Sequence, residues 1–202
     1  MSLFPDVQRK AQDEVDRVVG PNRLPEFDDY ENLVYIKAVI LETMRWMPVV
    51  ALNVPHYATA DNAYKGLHIP KGATILVNIW AILHDPEVYP EPECFNPDRF
   101  IKNGELDQDV PNPLNVAFGN GRRICPGRWL SGASLFITIA SVVHTFNIHP
   151  VLDANGKTFD PSNHEIEGVV TSIESIPCTV TPRSPKAEAL IRSNETPIQT
   201  LK

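Results

Sequence analysis

The run Phe118-Gly119-Asn120-Gly121-Arg122-Arg123-Ile124-Cys125-Pro126-Gly127 gathers groups that could do chemistry. A cysteine follows a turn rich in glycine and stands just before a long apolar stretch, Trp129 to Phe146. Glycines let the backbone approach something flat or bulky where side chains would intervene. A helix starting after Cys125 would offer the sulfur its free N–H groups and the positive end of its dipole, which favour a thiolate. Arg122 and Arg123 add positive charge. The chemistry this suits is ligation by an anionic sulfur held against a backbone-lined surface. A buried structural cysteine is the bland alternative, and the cysteine alone does not decide between them.

Glu42 and Arg45 stand three residues apart, so on a helix they share a face and can pair. On a surface such a pair is worth under about 1 kcal/mol. Here Leu33, Ile36, Ile40 and Met44 form one apolar stripe, and Tyr35, Val39 and Trp46 another. A helix apolar on several sides is buried, so both charges need further partners. His56 is a lone histidine, of a kind more often structural than ligating. The other histidines, with Cys94 and Cys178, sit in no recognisable site.

The elements that must position these groups can be read along the chain. Pro5 to Val19 is an amphipathic helix stopped by Gly20-Pro21, and Glu31 to Trp46 is a buried helix ended by Pro48. From Pro48 to Pro126 ten of the 19 prolines exclude long helices over most of the span. Leu67 to Ile69 and Ala73 to Val77 read as a hairpin across Pro70-Lys71-Gly72, with glycine fourth in a type I turn. Asp85 to Asn112 is a Pro-rich coil. An apolar helix spans Pro126 to Phe146, and its Ser131, Gly132, Ser134, Thr138, Ser141 and His144 favour a buried core helix over a membrane span. Ile148 to Pro182, with an Asn155-Gly156 turn, suggests small β-hairpins. The residues from Ser184 read as a frayed polar tail.

Composition narrows the classes. With 43% hydrophobic and 21% charged residues, the 202-residue chain is neither disordered nor fibrous. A net charge of −7 argues against nucleic acid as a partner. Three cysteines without Cys-x-x-Cys argue against a zinc ribbon and covalently attached haem, and are too few for a disulfide scaffold. Met1 to Pro5 has neither the basic start nor the apolar run of a signal or anchor, so no membrane segment is expected in this chain.

The spacing Phe-x-x-Gly-x-Arg-x-Cys-x-Gly is satisfied at every fixed position by Phe118, Gly121, Arg123, Cys125 and Gly127. It resembles the signature of the cytochrome P-450 family of haem-thiolate monooxygenases. Glu42-Thr43-Met44-Arg45 matches the family's Glu-x-x-Arg. Phe95-Asn96-Pro97-Asp98-Arg99-Phe100 is similar to the segment that supplies a third, basic member, Arg99. The resemblance implies that Cys125 is the axial ligand to the iron of haem b (iron protoporphyrin IX). It implies that Arg123 pairs with a haem propionate, that Phe118 packs near the sulfur, and that Gly121 and Gly127 shape the loop. Pro55-His56 resembles a family site whose histidine reaches a propionate, with Val49 to Val54 on the substrate side. Glu42, Arg45 and Arg99 are implied to be a structural triad locking the coil.

The implied fold is mainly α with small β-sheets, the C-terminal haem-ligand part of the cytochrome P-450 fold. Residues 1–183 form the partial domain and 184–202 the tail. The wording of the sequence looks fungal. A full member is well over twice this length and carries a distal helix with an Ala-Gly-x-Asp/Glu-Thr run, which this sequence lacks. The expected function is haem binding within an enzyme that inserts one atom of dioxygen into an apolar substrate. An NADPH-dependent reductase and an endoplasmic-reticulum location are implied for a full-length relative. The alternative expectation is an inactive remnant, or a haem-binding or interaction module without turnover. The chain by itself is expected to expose a large apolar patch.

Overall fold

Val7, Ala11 and Val15 recur every fourth residue, which places them on one stripe of a helix. In the computed structural model, which describes residues 1–152, 156–158, 165–166, 170, 172–173 and 176–193, that helix is α1, Pro5–Val18. Proline opens it, where no N–H partner is needed, and Gly20 at φ +71° follows its end. The next helix starts later than the sequence suggests. Phe27–Asn32 is a 3₁₀ turn, and α2 runs Val34–Trp46. Leu33 cannot cap α2 with its apolar side chain. The carboxylate of buried Glu14 on α1 does so instead, accepting from Tyr35 N at 2.8 Å and Ile36 N at 3.1 Å.

The long apolar stretch is α5, Arg128–Thr145. It packs on α1 and α2, and one core joins Val7, Ala11 and Val15 to Ile36, Val39, Phe136, Ala140 and Val143. No helix among the described residues is long and apolar enough to cross a membrane. A second core forms where Ala38 and Leu41 of α2 meet Ile79 and Leu83 of α3 (Ile79–Leu83), with Tyr89 and Phe100. α2 belongs to both cores, which is why it is apolar on several sides.

The expected hairpin across Pro70-Lys71-Gly72 is corrected. Leu67–Ile69 (β3) pairs with Asn62–Tyr64 (β2), whereas Thr74–Ile75 (β4) pairs with His56–Tyr57 (β1), so the two ladders nest. Lys65 and Gly66, both at positive φ, make the inner turn, as a two-residue connection requires. In the outer turn Ala73 N donates to Pro70 O at 3.1 Å, which puts Gly72 third, at φ +84°. That is the glycine position of a type II turn. The Pro-rich coil also carries structure: a 3₁₀ turn at Pro97–Phe100, then paired strands β5 (Ile101–Lys102) and β6 (Glu105–Leu106).

After α5 the chain enters β7, Phe146–Pro150, which pairs antiparallel with β10, Cys178–Pro182. Between them β8 (Glu165–Ile166) pairs with β9 (Ser172–Ile173). Gln8 on α1 both donates to Ile148 O (3.2 Å) and accepts from Ile148 N (2.8 Å), tying β7 to the first helix. Of the expected Asn155-Gly156 turn, Asn155 lies outside the described residues, and Leu152 bridges Thr158 around it. The reading of a frayed tail from Ser184 is corrected for its first part. Pro185–Ser193 form a helix, α6, that packs on α5 with Ala187 buried. Ser184 caps it, accepting from Ala187 N at 3.1 Å.

Candidate cofactor site

The cysteine loop is built by its own backbone. Just ahead of the short helix α4, Leu114–Ala117, Asn112 Oδ1 accepts from Leu114 N at 2.9 Å. Gly119 and Gly121 then turn the chain at φ +74° and +66°, values that cost other L residues about 1–2 kcal/mol. Cys125 N donates to Phe118 O at 2.9 Å, closing the loop on itself. Gly127 follows, and its carbonyl accepts from Ser131 N to start α5. Phe118, Gly121, Arg123, Cys125 and Gly127 therefore share one loop of eight-residue closure at the N-terminus of α5.

Within that loop Cys125 is free and exposed, as are Arg122 and Arg123. Arg128 lies over the Trp129 ring at 4.8 Å. Trp129 and Leu130, in the first turn after the cysteine, are 75% and 74% exposed. The segment bearing Val49, Leu52 and Val54, all exposed, adjoins the loop: Asn53 lies beside Gly119, and Ala51 O accepts from Trp80 N on α3. An exposed sulfur, a glycine turn and neighbouring apolar side chains therefore lie together. His56 stands apart on β1, exposed and opposite Ile75, and no hydrogen bond or ion pair joins it to the loop among the described residues.

Behind the loop lies a buried charge cluster. Glu42 and Arg45 are both inaccessible to solvent, with Arg45 Nε 2.7 Å from Glu42 Oε2 and Nη2 3.0 Å from Oε1. Arg99 Nε approaches Glu42 Oε2 at 3.2 Å. The spare N–H groups hold the Pro-rich coil by its carbonyls. Arg45 donates to Leu83 O and Pro92 O, while Arg99 donates to Pro90 O and Cys94 O. Asn96 N adds a bond to Glu42 Oε1 at 2.7 Å. Tyr89 lies 5.6 Å under the Arg45 guanidinium, and its hydroxyl donates to Pro111 O just ahead of α4. Burial raises the Tyr89 phenol above its ordinary value, so it stays a neutral donor. The cluster thus fixes the coil that leads into the cysteine loop.

The family model described as cytochrome P-450 matches residues 1–177. The chain belongs to the cytochrome P-450 family. Cytochrome P450 monooxygenase COX2 of Coprinopsis cinerea is 43% identical over 201 residues, covering 100% of this chain and 38% of the relative. Cytochrome P450 monooxygenase claR of Ampulloclitocybe clavipes is 44% identical, covering 95% and 36%. Cytochrome P450 monooxygenase CLM2 of Gibberella zeae is 43% identical, covering 96% and 36%. These relatives are fungal, and the chain spans little more than a third of their length. Cytochrome P-450 membership implies a haem cofactor, and the mixed helices and small antiparallel sheets fit part of that fold. Glu14, whose carboxylate caps α2, escaped the sequence reading because its partner amides lie 21 and 22 residues away.

Proposed function

We propose that Cys125 is the axial thiolate ligand of haem b and that this chain forms the haem-ligand part of a monooxygenase. The observation that carries the reading is a free, exposed cysteine in an intact family loop, closed by its own amide. The donor set fits the group: one accessible sulfur, two glycines that keep side chains off the approach, and apolar residues beside it. Gly121 and Gly127 shape the loop, Phe118 packs beside the sulfur, and Arg123 neutralises a propionate. His56 would reach a haem propionate. When bound, haem supplies the iron at which dioxygen is activated, and a thiolate donates electron density that favours O–O cleavage.

The chain's own residues have narrower tasks. Cys125 stands exposed just ahead of the N-terminus of α5, beside Arg122 and Arg123, and would supply the sulfur to the iron. Glu42, Arg45 and Arg99 keep the loop in register by holding the coil. Trp129, Leu130 and the 49–54 segment offer apolar surface that excludes water. For the whole protein the reaction is insertion of one oxygen atom into an apolar organic substrate, the second atom leaving as water. Two electrons come from NADPH through a reductase. An endoplasmic-reticulum membrane location is part of the same proposal, as is the assignment of residues 1–183 to one partial domain.

X-ray absorption at iron tests the ligation. With haem supplied during expression, the wild-type chain should show a sulfur scatterer bound to iron, and Cys125→Ala should lose it. A nitrogen- or oxygen-only shell in the wild type would overturn the proposal.

A further inference from the structure

The cysteine loop has few fixed points outside itself. Between Val110 and Cys125 the chain carries Pro111 and Pro113, which have no N–H to donate. The backbone bonds there run from one local turn to the next. Pro113 O accepts from Val116 N and Ala117 N, Val116 O from Gly119 N, and Phe118 O from Cys125 N, at 2.9–3.0 Å. Val110, Leu114 and Val116 rest partly buried against the second core. Such apolar contact holds the depth of the segment, but it is non-directional and does not stop sliding.

Direction comes from one hydrogen bond. Among the described residues, the single hydrogen bond between residues 110–125 and any residue before them runs from Tyr89 Oη to Pro111 O, at 2.9 Å. Tyr89 is 2% exposed and is itself held. Its N–H donates to Asp85 O at 2.8 Å, and its ring lies 5.6 Å from the Arg45 guanidinium. Arg45 grips the chain before and after it, at Leu83 O and Pro92 O. Arg99 takes the carbonyl of the next residue, Pro90, at 2.7 Å. The buried charges thus present one fixed donor to the segment that carries the cysteine.

We propose that Tyr89 is a positioning residue for Cys125, its hydroxyl carrying the register of the Glu42, Arg45 and Arg99 cluster into the loop. The proposal rests on the reading of Cys125 as the haem ligand. Ligation needs the sulfur in one place, and a segment that slides along the core takes Cys125 with it. Pro111 is exposed, so without the hydroxyl its carbonyl turns to water. Loss of the hydroxyl therefore loosens the loop locally and leaves no buried acceptor unpaired.

Hydrogen exchange of the 202-residue chain, expressed with haem supplied and read peptide by peptide, separates positioning from general stability. In Tyr89→Phe the ring stays under Arg45 and the hydroxyl alone goes. Peptides from 114–125 should exchange about fivefold faster, while those from 91–99 and from 7–18 keep wild-type rates. Tyr89→Leu, which also takes the ring away from Arg45, should quicken 91–99 as well. Equal acceleration everywhere in Tyr89→Phe, or none over 114–125, would overturn the proposal.

The reduced, carbon-monoxide-bound spectrum of the same preparations reads the sulfur itself. The thiolate-type share of the Soret band should fall in Tyr89→Phe. A wild type with that band and a Tyr89→Phe chain with an equal share would overturn the positioning role and keep Cys125 as the ligand. A wild type without the band would overturn both.

Discussion

Arg45 and Glu42 meet at 2.7 Å with neither side chain accessible to water. Three residues apart on α2, they would pair in any helix. What distinguishes them is that Arg99, four coil carbonyls and the Leu83 carbonyl at the end of α3 complete the cluster. The pair is thus the anchor of an irregular segment that has few other means of holding its shape.

Removing one member leaves the other charge buried and unpaired. Arg45→Ala is expected to cost about 3–5 kcal/mol, read as a fall in the urea midpoint. Arg45→Lys should recover little of it, because one ammonium cannot reach the carboxylate and two carbonyls in the guanidinium's planar pattern. Full recovery by lysine would show that charge alone, and not the fork, holds the coil.

Gly119 and Gly121 turn the cysteine loop at positive φ with open space around them or only ordinary contacts. Alanine at either should therefore cost only the backbone term, about 1–2 kcal/mol. The effect should appear as weaker haem uptake with little change in helical circular dichroism. A Gly121→Ala chain that takes up haem as the wild type does would separate the loop's geometry from cofactor binding.

Glu14→Gln tests the cap of α2. The variant keeps one acceptor oxygen, sets an NH2 against the second backbone N–H and loses the negative charge at the helix N-terminus, so a loss of about 0.5–2 kcal/mol is expected. A thermal melt compared with Glu14→Ala, which removes the acceptor as well and should lose more, checks it. Equal melts for both variants would contradict the capping role.

His144 and Asp29 are among the groups that make stability fall with acid. Burial holds His144 below its ordinary 6.5, so between that value and its lower folded value the unfolded chain binds more protons. Its contribution is complete above pH 6.5 and is lost as pH falls toward the folded value. Asp29, held below its ordinary 3.8 chiefly by the Arg23 hydrogen bonds, adds a second loss in the same direction below about pH 4. Urea midpoints should decline between pH 7 and 5, and His144→Phe should make that decline shallower, the buried Met1 amino group, held below its ordinary 8.0, adding a loss in the same direction. A midpoint that rises with acid there would contradict the burial of a neutral ring.

Much of the fold is legible in local spacing. The four-residue stripe of α1, the apolar run of α5 and the prolines bounding them fix these helices in the chain. The cysteine loop is legible because its motif lies in contiguous residues. Arg99 was reachable only through a family likeness, since nothing local says that it meets Glu42, 57 residues away. The strand pairings at 56–75 misled because Pro-x-Gly and Lys65-Gly66 compete as turns. Only the positive φ of both Lys65 and Gly66 identifies the tighter one. Helix α6 was missed because Ala187 is its sole buried residue among those described, too few for an apolar stripe.

The most direct test of the Cys125 assignment is the absorption spectrum of the reduced, carbon-monoxide-bound chain after expression with haem. A strongly red-shifted Soret band of the thiolate type is predicted for the wild type and its absence for Cys125→Ala. The same band in Cys125→Ala, or a band typical of histidine-bound or free haem in the wild type, would contradict ligation through Cys125.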